Sequence, residues 1–138
     1  MDPISIATGC LSLLSAVSNG IRIATDFVVS CREARNDITA MSRELSDLDI
    51  TLHILKDEAE TNELNQLPED LRQHIHDIMV NCTTVLIDLE ALLRKYKGLG
   101  LDRAAKWALS GRKEAEKLRV ALEGQKRALS LVVEATTL

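Results

Sequence analysis

The sequence predicts an all-α fold, a four-helix bundle with long amphipathic helices and one short extra helix that carries Trp107. Three observations predict this fold. Hydrophobic residues form 46% of the 138 residues and aromatic residues only 2%, while leucine alone occurs 22 times. Two prolines and six glycines interrupt the chain, whereas a β-sandwich or barrel needs frequent turn residues and β-branched or aromatic strands. Apolar residues also recur at steps of three and four, which is helical spacing.

The first helix is predicted over residues 3–30. Asp2 followed by Pro3 is typical of an N-cap with proline at the first helical position. No formally charged residue occurs from Pro3 to Ile21. One side of this helix is apolar, and small residues at i, i+4 spacing predict a helix-packing small face on another side. The small face consists of Thr8, Ser12, Ala16 and Gly20.

The second and third helices are predicted over residues 33–60 and 68–97. In each, apolar residues alternate steps of four and three, so a continuous seam faces the bundle. Pro68 and the two acids that follow it are typical of a helix start, and Lys97 followed by Gly98 is typical of a helix end. The second seam contains Ala34, Ile38, Met41, Leu45, Leu48, Leu52, Leu55 and Ala59. The third contains Leu71, Ile75, Ile78, Cys82, Val85, Leu89, Leu92 and Tyr96.

The remaining residues predict a short helix over 102–109 and a last helix over 111–134, with Ser110 as its cap. Trp107 has two interpretations, an anchor at a membrane interface or a side chain that closes one end of the bundle. The whole chain is predicted to form a single helical domain, residues 1–138, and we expect it to be one domain of a longer protein.

The net charge of −4 conceals an uneven distribution. Residues 1–93 carry six Lys and Arg against sixteen Asp and Glu, whereas residues 94–127 carry eleven against four. The basic last helix would contact an acidic partner or anionic lipids, or it simply lies beside acidic helices in one bundle. Charge counts alone favour the second interpretation. The candidate lipid contacts are Arg112, Lys113, Lys117, Arg119, Lys126 and Arg127.

Several function classes lack their signatures in the sequence. Three scattered aromatic residues cannot form a stacking platform for nucleic acid, and no P-loop occurs. Cys10, Cys31 and Cys82 are odd in number and far apart, which favours a reducing, cytoplasmic setting over a disulfide framework. His74 and His76 lie on different sides of a helix, so they do not form a metal pair. We therefore predict no catalytic residue, no metal and no cofactor.

The first helix has two interpretations. Its 19 uncharged residues span roughly 28 Å as a helix, close to the roughly 30 Å of a bilayer core. Six polar residues make it a poor lone transmembrane helix, but hydroxyl groups can face neighbouring helices in an assembly. The pattern favours a buried bundle helix. Both interpretations hold if the helix is released on activation.

Short segments in order along the chain resemble the HeLo-like family. The resemblance rests on the opening Met1-Asp2-Pro3-Ile4-Ser5-Ile6-Ala7, the small and apolar helix that follows, the heptad helix 34–59, and Lys106-Trp107-Ala108-Leu109 leading into Lys113-Glu114-Ala115-Glu116-Lys117-Leu118. HeLo-like domains are the amino-terminal domains of fungal STAND receptors, which look like fungal counterparts of NOD-like immune receptors.

The resemblance implies a helical-bundle effector of programmed cell death in allorecognition or defence. Such domains are thought to oligomerise and direct their first helix to the plasma membrane. The implied partners are further copies of the chain, anionic lipids and regulatory carboxyl-terminal domains, and the implied location is the cytoplasm until membrane recruitment. An adaptor that docks helices without membrane contact is the alternative. The predicted membrane-inserting residues are Ile4, Ile6, Leu11, Leu13, Leu14, Val17 and Ile21.

Overall fold

The structure, a computed structural model, describes residues 3–61 and 67–137, with side chains over 5–61 and 67–136. The described residues form helices and turns without a strand, so the all-α prediction is confirmed. The helices are α1 (Pro3–Ser30), α2 (Arg35–Glu60), α3 (Glu69–Lys97), the short α4 (Arg103–Lys106) and α5 (Arg112–Thr137). Single 3-10 turns precede α2 and α4.

The four long helices form a ring in which α1 and α5 occupy opposite corners. α1 packs mainly against α2 and α3, and α5 packs mainly against the same two helices. The short turn after α1 brings α2 back antiparallel to it, whereas α3 runs parallel to α1 with Met79 beside Gly9. Consequently the carboxyl ends of α1 and α3 meet the amino ends of α2 and α5 at one end of the bundle.

The core follows the heptad seams. All eight predicted seam residues of the second helix are buried, and seven of the eight in the third are buried, with Leu71 half-buried. On α1 the buried line runs from Ile6 to Phe27 and includes Leu14. The burial of these side chains supplies the main force that holds the ring together.

An aromatic and polar cluster closes the end of the bundle where α1 and α3 finish. The Trp107 ring is fully buried, with ring centroids 5.2 Å from Phe27 and 5.3 Å from Tyr96. Its Nε1 donates a hydrogen bond of 2.9 Å to Asp37 Oδ2 on α2. Trp107 therefore closes the bundle end, the second of the two interpretations, and does not present its ring to solvent.

Arg103 connects the carboxyl ends of α1 and α3 in the same cluster. Its guanidinium donates to three backbone carbonyl oxygens: Tyr96 at 3.1 Å, Lys97 at 2.9 Å and Ser30 at 2.5 Å. Carbonyls at helix ends lack partners within the helix, so Arg103 satisfies groups that would otherwise need water. We call the side chains Phe27, Asp37, Tyr96, Arg103, Trp107 and Arg112 the end cluster.

The predicted break between helices 102–109 and 111–134 does not occur. Residues 100–137 instead continue helically through a π-helical turn, Trp107–Gly111. A β-carbon on Gly111 would lie 2.5 Å from Trp107 Cε3, so glycine leaves the space that the indole ring occupies. Ser110 does not cap a helix start; its hydroxyl bonds the Tyr96 hydroxyl and donates to the Lys106 carbonyl oxygen.

Candidate functional site

The predicted membrane-inserting residues of α1 lie mostly inside the bundle. Four of them are buried: Ile6, Leu13, Leu14 and Val17. Ile21 is half-buried against the core, whereas Leu11 is 53% exposed on the outer side. The side chain of Ile4 lies outside the described residues. The apolar face of α1 is thus occupied by α2 and α3 in this state, and insertion would require α1 to leave them.

The outer face of α1 is uncharged over its first half. The exposed residues there are Ser5, Thr8, Leu11, Ser12, Ser15 and Ser18. The first charge on this face is Arg22, which pairs with Asp26 at 3.6 Å. Surface helices usually carry charged residues on their solvent side, as α5 does. α1 is the helix among the described residues that is long and apolar enough to cross a membrane, with a mean hydropathy of 1.3 and 28% of its most apolar window buried.

The predicted small face is divided between solvent and two neighbouring helices. Thr8 and Ser12 are exposed, and Ala16 is half-buried. A β-carbon on Gly20 would lie 3.7 Å from Leu45 Cδ1, so this part faces α2. The tightest approach of α1 to α3 occurs instead at Gly9, where an added β-carbon would meet Met79 Cε. The small-residue spacing did not include Gly9.

Most of the predicted lipid-contacting cations of α5 are already paired. Lys126 Nζ donates to Glu44 at 2.8 Å and to Asp47 at 3.5 Å, and Arg112 Nε lies 3.3 Å from Asp37. All three carboxylates belong to α2, so these pairs join α5 to α2. The hydrogen bond that Lys126 donates to Glu44 raises the pKa of Lys126. The basic helix therefore neutralises its acidic neighbour.

The other candidates on α5 divide into paired and unpaired groups. Arg119 pairs with Glu116 at 2.5 Å, a contact that raises the pKa of the guanidinium and lowers the pKa of the Glu116 carboxyl. Arg127 pairs with Glu123 at 2.7 Å. Lys113 and Lys117 are exposed and have no ion pair within the part of the chain that the structure describes. Only these two remain open to an external anion without breaking a pair.

The cysteines and histidines form no evident reactive centre among the described residues. All three thiols are buried, and burial raises the pKa of Cys10 and of Cys82 to about 12. A thiol with so high a pKa is protonated at neutral pH and is a poor nucleophile. Within residues 3–61 and 67–137 no group of three or more His, Cys, Asp or Glu side chains could hold a metal ion.

No family model, curated protein or solved structure matches this chain. The resemblance to the HeLo-like family therefore stays a prediction. The fold and the geometry of α1, α5 and the end cluster are the observations available for a functional proposal.

Proposed function

We propose that this chain is a membrane-targeting, oligomerising cell-death domain in which α1 is held in the bundle at rest and leaves it on activation. The observation that supports this most is the composition of α1, apolar on its inner face and uncharged on its outer face as far as Asn19. A released helix of this kind would bring no charge into a bilayer over its first 17 residues, counted from Pro3 to Asn19.

Release of the amino half of α1 would break no ion pair, since residues 5–21 carry no charge. The buried contacts to be given up are apolar, chiefly those of Ile6, Cys10, Leu13 and Val17 with α2 and α3. Hydroxyl groups on the outer face could then face other copies of α1 in an oligomer while Leu and Ile face lipid. The protein would thus be cytoplasmic at rest and associate with itself and with anionic lipids at the plasma membrane once regulatory domains of a longer chain release it.

An adaptor that docks another helical domain is the second candidate function. It is favoured by the pairing of the α5 cations and by an exposed aliphatic pair on α2. Ile50 and Ile54 are 60% and 41% exposed at i, i+4 spacing, which is the spacing of anchors in helix-to-helix docking. Under this candidate, signalling needs no lipid.

The test compares two glutamate substitutions at exposed leucines. Leu11 on α1 and Leu131 on α5 are both exposed, so Leu11→Glu and Leu131→Glu should both leave the bundle folded by circular dichroism. We expect Leu11→Glu to abolish dye leakage from phosphatidylserine-containing vesicles and killing in cells, because the charge would have to enter the bilayer. Leu131→Glu should keep both activities.

Two results would overturn the membrane proposal. One is oligomeric wild-type protein that releases no dye. The other is full killing by Leu11→Glu. Killing without membrane association would favour the adaptor. Leu13→Glu is a poor substitute in this test, since Leu13 is buried and the variant would unfold the bundle.

A further inference from the structure

The segment that follows α3 presents an apolar ridge to solvent. Residues 100–111 run helically, with Arg103, Trp107 and Gly111 turned toward the bundle. The outward side carries Leu101 and Leu109, which are 104% and 76% exposed, and the exposed Ala105 between them. Their spacing of four residues places them on one side of a helical segment. We call Leu101, Ala105 and Leu109 the outer ridge.

Unpaired cations surround the outer ridge. Lys97, Lys106 and Lys113 are exposed and have no ion pair within the described residues. Asp102 is the single carboxylate among residues 97–113, which hold five Lys and Arg. The 3-10 turn Arg32–Ala34 packs against this segment and adds one cation and one carboxylate, and Asp37 of α2 pairs with Arg112. This end of the bundle therefore combines solvated leucines with an excess of positive charge.

We infer that this end of the bundle docks on an anionic membrane surface while α1 is still packed. Leucines at the tip of a turn can enter the boundary between headgroups and acyl chains, and lysines beside them attract anionic headgroups. A protein partner would also cover leucines, but the lysines specify a negatively charged surface. The inference rests on the proposed membrane function and extends it from α1 to the resting fold.

Docking at this end would place the carboxyl end of α1, about which the released helix would turn, at the membrane. α1 ends at Ser30, and the Ser30 carbonyl accepts a hydrogen bond from Arg103. Arg103 is two residues from Leu101 of the outer ridge. A helix released from its amino end would therefore swing about a point that the outer ridge already holds against lipid. Membrane contact through the ridge would precede insertion and would not depend on it.

Flotation of the full chain with vesicles tests the docking. We expect binding to phosphatidylcholine vesicles that contain phosphatidylserine, weak binding to phosphatidylcholine alone, and loss of binding at high salt. Leu101→Ser with Leu109→Ser should weaken binding at least about tenfold, because two leucine side chains no longer enter the boundary. The matched control, Ile87→Ser with Leu131→Ser, removes exposed aliphatic residues elsewhere and should bind as the wild type does.

The charge is tested separately. Lys97→Gln, Lys106→Gln and Lys113→Gln together should weaken binding about a hundredfold at low salt, since each lysine near an anionic surface contributes about fivefold. Arg43→Gln, an exposed cation of α2, is the control. Equal loss in the ridge and control variants, or no binding by the wild type, would overturn the inference. Leu11→Glu should bind without leakage, so failure of the α1 proposal is seen separately from failure of docking.

Discussion

The two ends of α1 are held by different kinds of interaction. At the carboxyl end, Phe27 packs on Trp107 and the Ser30 carbonyl accepts a hydrogen bond from Arg103. At the amino end, the buried contacts are apolar, and each such side chain contributes about 1.5–3 kcal/mol on burial. Directional bonds fix one geometry, whereas apolar packing can be given up gradually from a free end. Under the proposed release, we therefore expect α1 to open from its amino end about a fixed carboxyl end.

The largest effect is expected at the end cluster. Trp107→Ala should lower the free energy of unfolding by about 3–5 kcal/mol, because it removes a fully buried ring and leaves Asp37 without its indole donor. Leu13→Ala at the other end should cost about 2–3 kcal/mol. Urea denaturation followed by circular dichroism measures both. An equal or larger loss for Leu13→Ala would remove the distinction between the two ends.

Two glycines of the last helical stretch should respond in opposite directions. Gly111→Ala should destabilise the protein by about 1–3 kcal/mol, because its β-carbon would lie 2.5 Å from the Trp107 ring. Gly124→Ala has no atom within 4 Å of the new β-carbon and should stabilise α5 by about 0.5–1 kcal/mol. Thermal denaturation of the two variants and the wild type measures both changes in stability. Unchanged stability of Gly111→Ala would mean that the turn around Trp107 can relax freely.

The buried thiols report opening of each end. Cys10 belongs to the amino half of α1 and Cys31 lies beside the end cluster, and burial raises the pKa of both. A thiol reagent should therefore react only after local opening, and we expect Cys10 to react at least about tenfold faster than Cys31, a difference of about 1.4 kcal/mol in opening. Variants that retain one cysteine each, labelled at pH 8, give the two rates. Faster labelling of Cys31 would contradict opening from the amino end.

The smallest effect concerns the ion pair between α5 and α2. A double-mutant cycle of Lys126→Ala and Glu44→Ala should give a coupling of about 0.5–1 kcal/mol, since the pair is near the surface. The pKa of Lys126 is raised in the folded state, so the contribution is present below its unfolded value of 10.5 and is lost as pH rises through the folded value. Urea denaturation at pH 8 and at a pH above the folded value measures this. A coupling that persisted at the higher pH would rule out a charged pair.

The fold could be predicted from the sequence because its main determinant is local periodicity. Every seam residue from Ala34 to Ala59 is buried, and the eight positions follow from steps of three and four alone. The end cluster could not be predicted in this way. Arg103 binds a carbonyl 73 residues earlier, and Trp107 donates to an aspartate 70 residues earlier. No periodic pattern relates such positions.

The candidate site could be predicted only in part for a related reason. An uncharged amino-terminal helix with one apolar face can be read from its residues, and α1 has this composition. Whether the α5 cations can bind an external anion depends on which helix lies beside them. Because α2 is that neighbour, Glu44 forms an ion pair with Lys126, and Asp37 forms one with Arg112. Lys113 and Lys117 are exposed and form no ion pair within the described residues. That adjacency follows from the ring order of the helices, which the sequence pattern does not specify.

The π-helical turn at Trp107–Gly111 has a consequence for how such a chain tolerates insertions and deletions. A π turn holds one more residue than the α-helical turn it replaces. Deleting Ala108 would restore regular α-helix and leave the later side chains on nearly the same sides of the helix, because the π turn absorbs the extra residue. Lys126 would then stay on the side of α5 that meets Glu44. We expect the protein to tolerate the loss of one residue within the Trp107–Gly111 turn.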